Sequence, residues 1–483
     1  MMLDRSLGNT MVRIWRQVQE SHCYKYLNRV DMYTTLLTSL TKSGSIVHAL
    51  GHEFQPPPPR RELPSARLLR KAFLLSESEH IEDYRAQIMS TFGKILKFDS
   101  TKKICKKLSG AGRGSAEWCT NVGNELSQVL TSVLTCEESR EKLRPMAQGL
   151  QDRYSKAGEA PPPPPQVMYV DRGCCRVLGV SSIEQLFSEW SESGMVIRLD
   201  AFHWMCRFDA AVRTDHHPKY PLFKSALSAV LFAYNKDDMS LLVKLTRAGS
   251  STYANLTDEQ IIAKFISRED LKHFVRRVTV GAHETVTRVQ NALEVLKGRA
   301  GKDGMGIALF KDDGSVDQVW ANQQKHLKCL QDPPGMDMYT VTKHVTRNGI
   351  SLPYYRTVRG SNSLEGFHRF LPSMIPGPRC AAVPFQVYLL AGIARWNSDR
   401  ESDAVKGQKG RKHRTFQSPL IHRLNKRCEL FGQVEEVNFR APMPVGDELL
   451  GLEYLFSQSS SFNVDGHYTE AREVLQDGTT MMR

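Results

Sequence analysis

The sequence predicts an α/β fold in which a mixed β-sheet core, flanked by helices, is interrupted by a large all-helical insertion. Three observations predict it. Two short apolar stretches, Lys94 to Phe98 and Gln166 to Val170, are each followed by an aspartate, Asp99 and Asp171. That is the pattern of a buried strand delivering a carboxylate to its C-terminal end. Further extended stretches with tight turns lie around them, separated by amphipathic helical patterns. From about Phe202 to Thr346 the periodicity is helical, with no strand pattern of comparable quality.

Residues 1–54 read as a helical lead-in, with Val12, Ile14, Trp15 and Val18 at helical spacing. Four prolines and two arginines between Gln55 and Arg61 mark an extended linker, 55–67. Leu68 to Thr91 reads as one long helix or two, ending before the first aspartate strand. Beyond the turn at Gly110 to Gly114 come two strands, Ala116 to Val122 and Gln128 to Leu134, joined at Gly123-Asn124. Three sequential strands with short turns imply an antiparallel meander. Glu137 to Tyr154 is an amphipathic helix, and the second aspartate strand follows the Pro161 to Pro165 run. Ile183 to Trp190 is helical, and Met195 to Asp200 is a fifth strand.

The order strand, strand, strand, helix, strand, helix, strand is, by analogy, that of an RNase H-like core. The expected division is 68–210 for the first part of that core, 211–350 for the helical insertion and 351–400 for the last part. In that last part Ser351 to Tyr355 is extended, Arg359 to Asn362 is a turn, and Leu364 opens a helix carrying Glu365. Gln386 to Trp396 is a further helix. Residues 401–483 comprise a basic segment and a polar tail that, from Gly446 on, carries no folding signal.

Composition narrows the function. With 41% hydrophobic and 24% charged residues the chain is not expected to be disordered. No long apolar run predicts a membrane span, and the N-terminus has no apolar signal core, so secretion is not expected. A net charge of +13 points to a polyanionic partner, nucleic acid first, although a solvated basic surface also accounts for it. Ten cysteines without a CxxC pair suggest neither a disulfide framework nor a zinc knuckle, and are expected to be reduced.

The candidate chemistry rests on Asp99, Asp171 and Glu365. Singly, each acid also suits a turn or a helix first turn. Together, two carboxylates at strand ends and one on the first turn of a helix, capped by Ser361 or Asn362, suit divalent cations. Such a triad holds two Mg²⁺ or Mn²⁺ ions about 3.5–4 Å apart for phosphoryl transfer. Asp99 and Asp171 are 72 residues apart, and Asp171 and Glu365 are 194 apart. The second gap requires the insertion. In Asp200-Ala-Phe-His203-Trp204, Asp200 is an alternative metal ligand, and His203 orients a phosphate or a metal-bound water, or else His203 and Trp204 pack at a strand–helix junction. Lys102, Lys103, Lys106 and Lys107 follow the first aspartate, and Arg356, Arg359 and Arg369 surround Glu365, where a nucleic-acid backbone would pass. The run Lys406 to Arg414 suits a nuclear-targeting segment, a DNA-contacting arm or a solvated loop.

Several stretches carry a family resemblance: KFDSTKKICKKLSGAGRGSAEWCTNVGNE, YVDRGCC, RLDAFHWMCRF, GSNSLEGFHRFLPSMIPG and FQVYLLAGIARWN. They resemble uncharacterised transposase-like proteins that are multicopy in vertebrate genomes. These in turn are distantly similar to the DDE transposases of the KDZ, Mutator-like and hAT groups, with an RNase H core and a helical insertion. The resemblance runs from about Leu68 to Phe456. It implies catalytic roles for Asp99, Asp171 and Glu365, and it gives Asp200 and His203 the place of a polar pair, often Cys and His, that follows the second aspartate. Cys206 lies after His203 rather than before it. The chain has no zinc-finger spacing for recognising element ends, and a partial or decayed element is expected.

The expected function is that of a nuclear DDE-type transposase, or a protein derived from one, acting on double-stranded DNA with Mg²⁺ or Mn²⁺, with a homo-oligomer in view. The alternatives are a catalytically silent, domesticated DNA-binding or chromatin-interaction protein, and a metal-dependent nuclease without strand transfer.

Overall fold

The computed structural model describes residues 11–41, 55–109, 114–157, 161–176, 179–253, 255–401, 418–432 and 446–458. The basic run Lys406 to Arg414 lies outside the described residues.

At the centre stands a five-stranded sheet in the order β3-β2-β1-β4-β5. Its strands are β1 (Ile95–Thr101), β2 (Trp118–Gly123), β3 (Val129–Thr135), β4 (Val167–Val170) and β5 (Val196–Leu199). The first three form the expected meander, β1 pairing β2 and β2 pairing β3 antiparallel. On the other side β1 pairs β4, and β4 pairs β5, in parallel. Parallel strands end at one edge of a sheet, and here the register aligns the ends. Phe98 pairs with Val170 and Val170 with Leu199, and the next residue of each strand is an aspartate: Asp99, Asp171 and Asp200.

Helices cover both faces, so that even the polar Lys97, Thr120, Asn121, Thr131 and Ser132 of the strands are buried. On one face α4 (Arg140–Ser155), α5 (Ser182–Leu186) and α6 (Ser188–Glu192) bury Leu143, Leu150, Phe187 and Trp190 against Leu96, Phe98, Val170 and Ile197. The helix α4 starts later than the expected Glu137 because Ser139 caps it, accepting from Lys142 N. On the other face lie α3 (Ile81–Met89), α14 (Asn362–Met374), α15 (Ala382–Glu401) and α16 (Leu452–Ser457), with Phe367, Leu371, Phe385, Leu389 and Leu455 at their contact. Ahead of these, α1 (Met11–Leu40) hydrogen-bonds to the proline segment, Trp15 to Pro64 O and Tyr26 to Pro58 O. The Leu68 to Thr91 stretch divides into α2 (Ala66–Ser78) and α3.

Two expectations are corrected. The insertion is not all-helical. After α7 (Ala201–Arg207), and besides α8 (Tyr220–Leu231), α9 (Lys236–Ala248), α10 (Asp258–Phe265), α11 (Arg268–Phe274), α12 (Ala282–Lys297) and α13 (Asp313–Gln324), it holds strands β6 (Phe232–Tyr234) and β7 (Arg277–Thr279), paired antiparallel. It also holds β8 (Tyr339–Arg347), which forms a hairpin with β9 (Ile350–Thr357) through Asn348 and Gly349, at φ of +50° and +75°. Positive φ at both turn residues is what a two-residue hairpin of matching twist requires. Nor does the chain lose structure at Gly446. Leu450, Leu452, Leu455 and Phe456 are buried in the second core, Leu134 N donates to Gly451 O, and Glu448 binds the buried Arg153 guanidinium at 2.6 and 2.7 Å.

Candidate active site

The sheet edge where β1, β4 and β5 end gathers most of the acids singled out in the sequence. Asp99 lies inside β1 rather than beyond it, because pairing with β2 continues to Thr101 opposite Cys119. Its side chain is 8% exposed. Asp171, just past β4, is partly exposed, with Arg172 Nε 3.7 Å from its carboxylate, and its carbonyl accepts from Arg207. Glu365 sits on the first turn of α14 and leans over the edge. Ser361 precedes that helix but does not cap it with its side chain, and its groups turn toward Asp200 and His203 instead.

Asp200 is buried at 2% exposure and both of its carboxylate oxygens are engaged. Oδ1 accepts from His203 N at 2.8 Å as the α7 N-cap, and Oδ2 accepts from Ser361 N at 2.6 Å. The close approach of Ser361 depends on Gly360, whose φ is +77°; a Cβ there would lie 2.6 Å from Asp200 Oδ2. His203 stands between the acids. Its Nδ1 is 3.2 Å from Asp200 Oδ1 and 3.3 Å from Ser361 Oγ, and its Nε2 is 3.1 Å from Glu365 Oε1. The Asp200 hydrogen bond, against the opposing effect of burial, raises the imidazole pKa to about 9, with help from the charges of Asp99 and Asp171. At neutral pH His203 is a cation that donates to both carboxylates.

A residue not singled out in the sequence completes the group. His368, one turn after Glu365 on α14 and 3% exposed, brings Nδ1 to 3.4 Å from Asp99 Oδ2. Its Nε2 is 3.0 Å from Asn121 Nδ2, and Asn121 is the cross-strand partner of Asp99. Protonated on Nδ1 the ring donates to Asp99; protonated on Nε2 it donates to the Asn121 amide in its flipped orientation and leaves Nδ1 free as a ligand. Burial holds His368 down at a pKa of about 4, so it is neutral. The available signal was the Glu365-x-x-His368 spacing, which places both on one helix face. Ligand atoms of Asp99, Glu365 and His368 all lie within 4.8 Å of one another.

Burial and then the charge of Asp171 push the Asp99 carboxyl up to about 7, so at neutral pH it shares its charge with a proton. A buried acid beside other acids is the environment a divalent cation relieves, and two carboxylates with one imidazole suit Mn²⁺ at least as well as Mg²⁺.

The basic residues divide. Lys103, Lys106 and Arg369 are exposed and make no ion pair among the described residues. Lys102 pairs with Glu117 at 3.2 Å and lies over the Trp118 ring. Arg356 reaches Ser127 Oγ at 3.2 Å. Two more, Lys107 and Arg359, are held by several bonds within the fold. Lys107 donates to Pro372 O and Ile375 O at 2.6 and 2.7 Å, tying β1's loop to α14. Arg359 forms a bidentate pair with Asp332 at 2.7 and 2.8 Å.

Comparison with protein-family models, with curated proteins and with solved structures gives no significant match to this chain.

Proposed function

We propose that the chain is a DDE-type transposase, or an enzyme derived from one, with an RNase H-like core that cleaves and transfers strands of duplex DNA. The observation that carries the reading is the register of the sheet edge. Phe98, Val170 and Leu199 lie in one row, so their following aspartates emerge together, and α14 sets Glu365 above them. The strand order, with a meander joined to two parallel strands, supports the RNase H-like assignment. A nuclear location and assembly into an oligomer on DNA belong to the same reading.

Asp99, Glu365 and His368, with Asp171 beside them, would hold Mg²⁺ or Mn²⁺. Such a cation, when bound, supplies Lewis-acid stabilisation of phosphoryl oxygens and a more acidic water. The chain's own residues do the rest by positioning. Asp200 fixes the α7 N-terminus and the orientation of His203, and the His203 imidazolium aligns Glu365 and offers positive charge beside a phosphate. Lys103, Lys106 and Arg369 supply sequence-independent contacts to a phosphate backbone.

The test is DNA cleavage by purified protein with Mn²⁺ or Mg²⁺, wild type against Asp171→Asn. Metal-dependent cleavage that disappears in the variant supports the enzyme reading. Absence of cleavage by both, with equal salt-sensitive DNA binding, leaves the second reading, a silent DNA-binding protein. One observation favours that second reading: His203 occupies a Glu365 oxygen that an enzyme would need for a cation.

A further inference from the structure

Away from the acidic edge, four other metal-ligand side chains converge from two distant segments. Cys174 and Cys175 lie on the loop that leaves β4. His326 and Cys329 lie in the turns that follow α13, near the end of the insertion. The Cys174 and Cys175 sulfurs are 3.9 Å apart, and each is 3.3 Å from His326 Nδ1. With the Cys329 sulfur, all four donor atoms fall within 4.8 Å of one another. Tetrahedral zinc, with Zn–S of about 2.3 Å and Zn–N of about 2.05 Å, sets sulfur–sulfur edges of about 3.8 Å and sulfur–nitrogen edges of about 3.6 Å. The separations of Cys174, Cys175 and His326 match those edges. They do not match a disulfide, which needs about 2.05 Å between sulfurs.

The backbone around the donors is fixed before any ion arrives. Gly173, at φ of +74°, turns the loop, and a Cβ there would lie 2.8 Å from Ser182 Oγ. Cys329 N donates to His326 O at 2.9 Å, which closes the His-x-x-Cys turn, and Cys329 O accepts from Leu199 N at the end of β5. Cys174 and Cys329 are buried, while Cys175 and His326 are partly exposed, so an ion has a path in.

We propose that Cys174, Cys175, His326 (through Nδ1) and Cys329 form a structural zinc site that clamps the end of the helical insertion to the loop after β4. Four protein ligands leave no open position, which is the signature of a structural rather than a catalytic zinc. Cys174 is three residues beyond Asp171, and Arg207 joins the Asp171 carbonyl to Gln323, three residues before His326. The ion therefore braces the segment that holds the second aspartate from both sides. The inference stands on its own donors and holds whether or not the acidic edge acts on DNA.

The test uses the full chain, purified under reducing conditions without chelator. Elemental analysis is expected to give about one zinc per chain in wild type and in Cys136→Ser, and almost none in Cys174→Ser or Cys329→Ser. Those cysteine variants can lose zinc simply by misfolding, so wild type is also stripped and reloaded with Co²⁺ alone. A tetrahedral visible spectrum with thiolate-to-cobalt charge transfer is expected, changed in His326→Cys, which keeps four ligands and retains the metal. Wild-type protein without zinc, an octahedral cobalt spectrum, or a His326→Cys spectrum identical to wild type would overturn the proposal. So would a Cys174–Cys175 disulfide found by mass spectrometry in the freshly purified chain.

Discussion

His203 and Glu365 stand 162 residues apart in the chain and 3.1 Å apart in the fold, Nε2 to Oε1. One precedes the insertion and the other follows it. Through the bond of Nδ1 to Asp200, the same ring links the end of β5 to the helix that carries the third acid. The charge on His203 therefore reports on whether the site is assembled.

That charge makes stability depend on pH. The folded-state pKa of His203 is raised from 6.5 to about 9. Its contribution is complete below about pH 6.5 and is lost as pH rises through 9. The shift corresponds to about 2–3 kcal/mol once partial exposure is allowed for. Urea unfolding of metal-free protein at stepped pH is expected to show this decline in wild type and not in His203→Gln. Equal slopes in the two proteins would refute the assignment.

Asp99 titrates in the opposite sense for metal binding. Its pKa is raised to about 7, so protons compete with a cation below neutrality. Mn²⁺ affinity, measured by calorimetry, is expected to fall by about tenfold per pH unit below about pH 7 and to level off above it. Asp99→Asn is expected to abolish high-affinity binding. Affinity that stays constant down to pH 5 would remove Asp99 from the ligand set.

Gly360 is required by the turn that seats Ser361 on Asp200. Gly360→Ala combines a positive φ with a 2.6 Å approach to Asp200 Oδ2, and is expected to cost about 1–3 kcal/mol. It is also expected to move the His203 pKa back toward 6.5, read by NMR of the imidazole. A variant with wild-type stability and an unmoved His203 titration would mean that the Asp200–Ser361 bond does not depend on this glycine.

Arg153 and Glu448 test whether the chain beyond Gly446 belongs to the fold. The guanidinium is 4% exposed and also donates to Met89 O and Leu130 O. Glu448→Ala leaves a buried cation unpaired and is expected to cost about 3–5 kcal/mol. Replacing both partners by apolar residues is expected to recover much of that loss. Thermal melts that do not distinguish Glu448→Ala from wild type would place this segment outside the cooperative unit.

The central sheet was legible because apolar residues recur at alternate positions along β1 and fill β4, each bounded by turn or proline signals. Asp99, Asp171 and Glu365 were found because strand ends and helix starts leave local marks. What escaped was of two kinds. Some signals were present and passed over. Asn348-Gly349 specifies a hairpin, and the capping box of Thr257 and Gln260, the Ser267 cap and Gly281 at φ of +93° divide the helical pattern between Asp258 and Leu296 into α10, α11 and α12. Other relationships had no local mark at all. Lys107 and Arg359 look like any exposed base until Ile375 O and Asp332 are folded against them. Leu450 and Leu455 are a few apolar residues in a polar tail until the second core is assembled around them.

The bond from Ser361 N to Asp200 Oδ2 joins residues 161 apart. It closes the insertion where it leaves and rejoins the sheet. A loop whose two ends meet this closely transmits little of its own length to its anchor points, and the entropy of closing it grows only with the logarithm of that length. The insertion's outer loops can therefore change in length at little entropic cost, while the part that packs on the sheet, Phe223, Leu293 and Cys329 among it, stays fixed together with the acids.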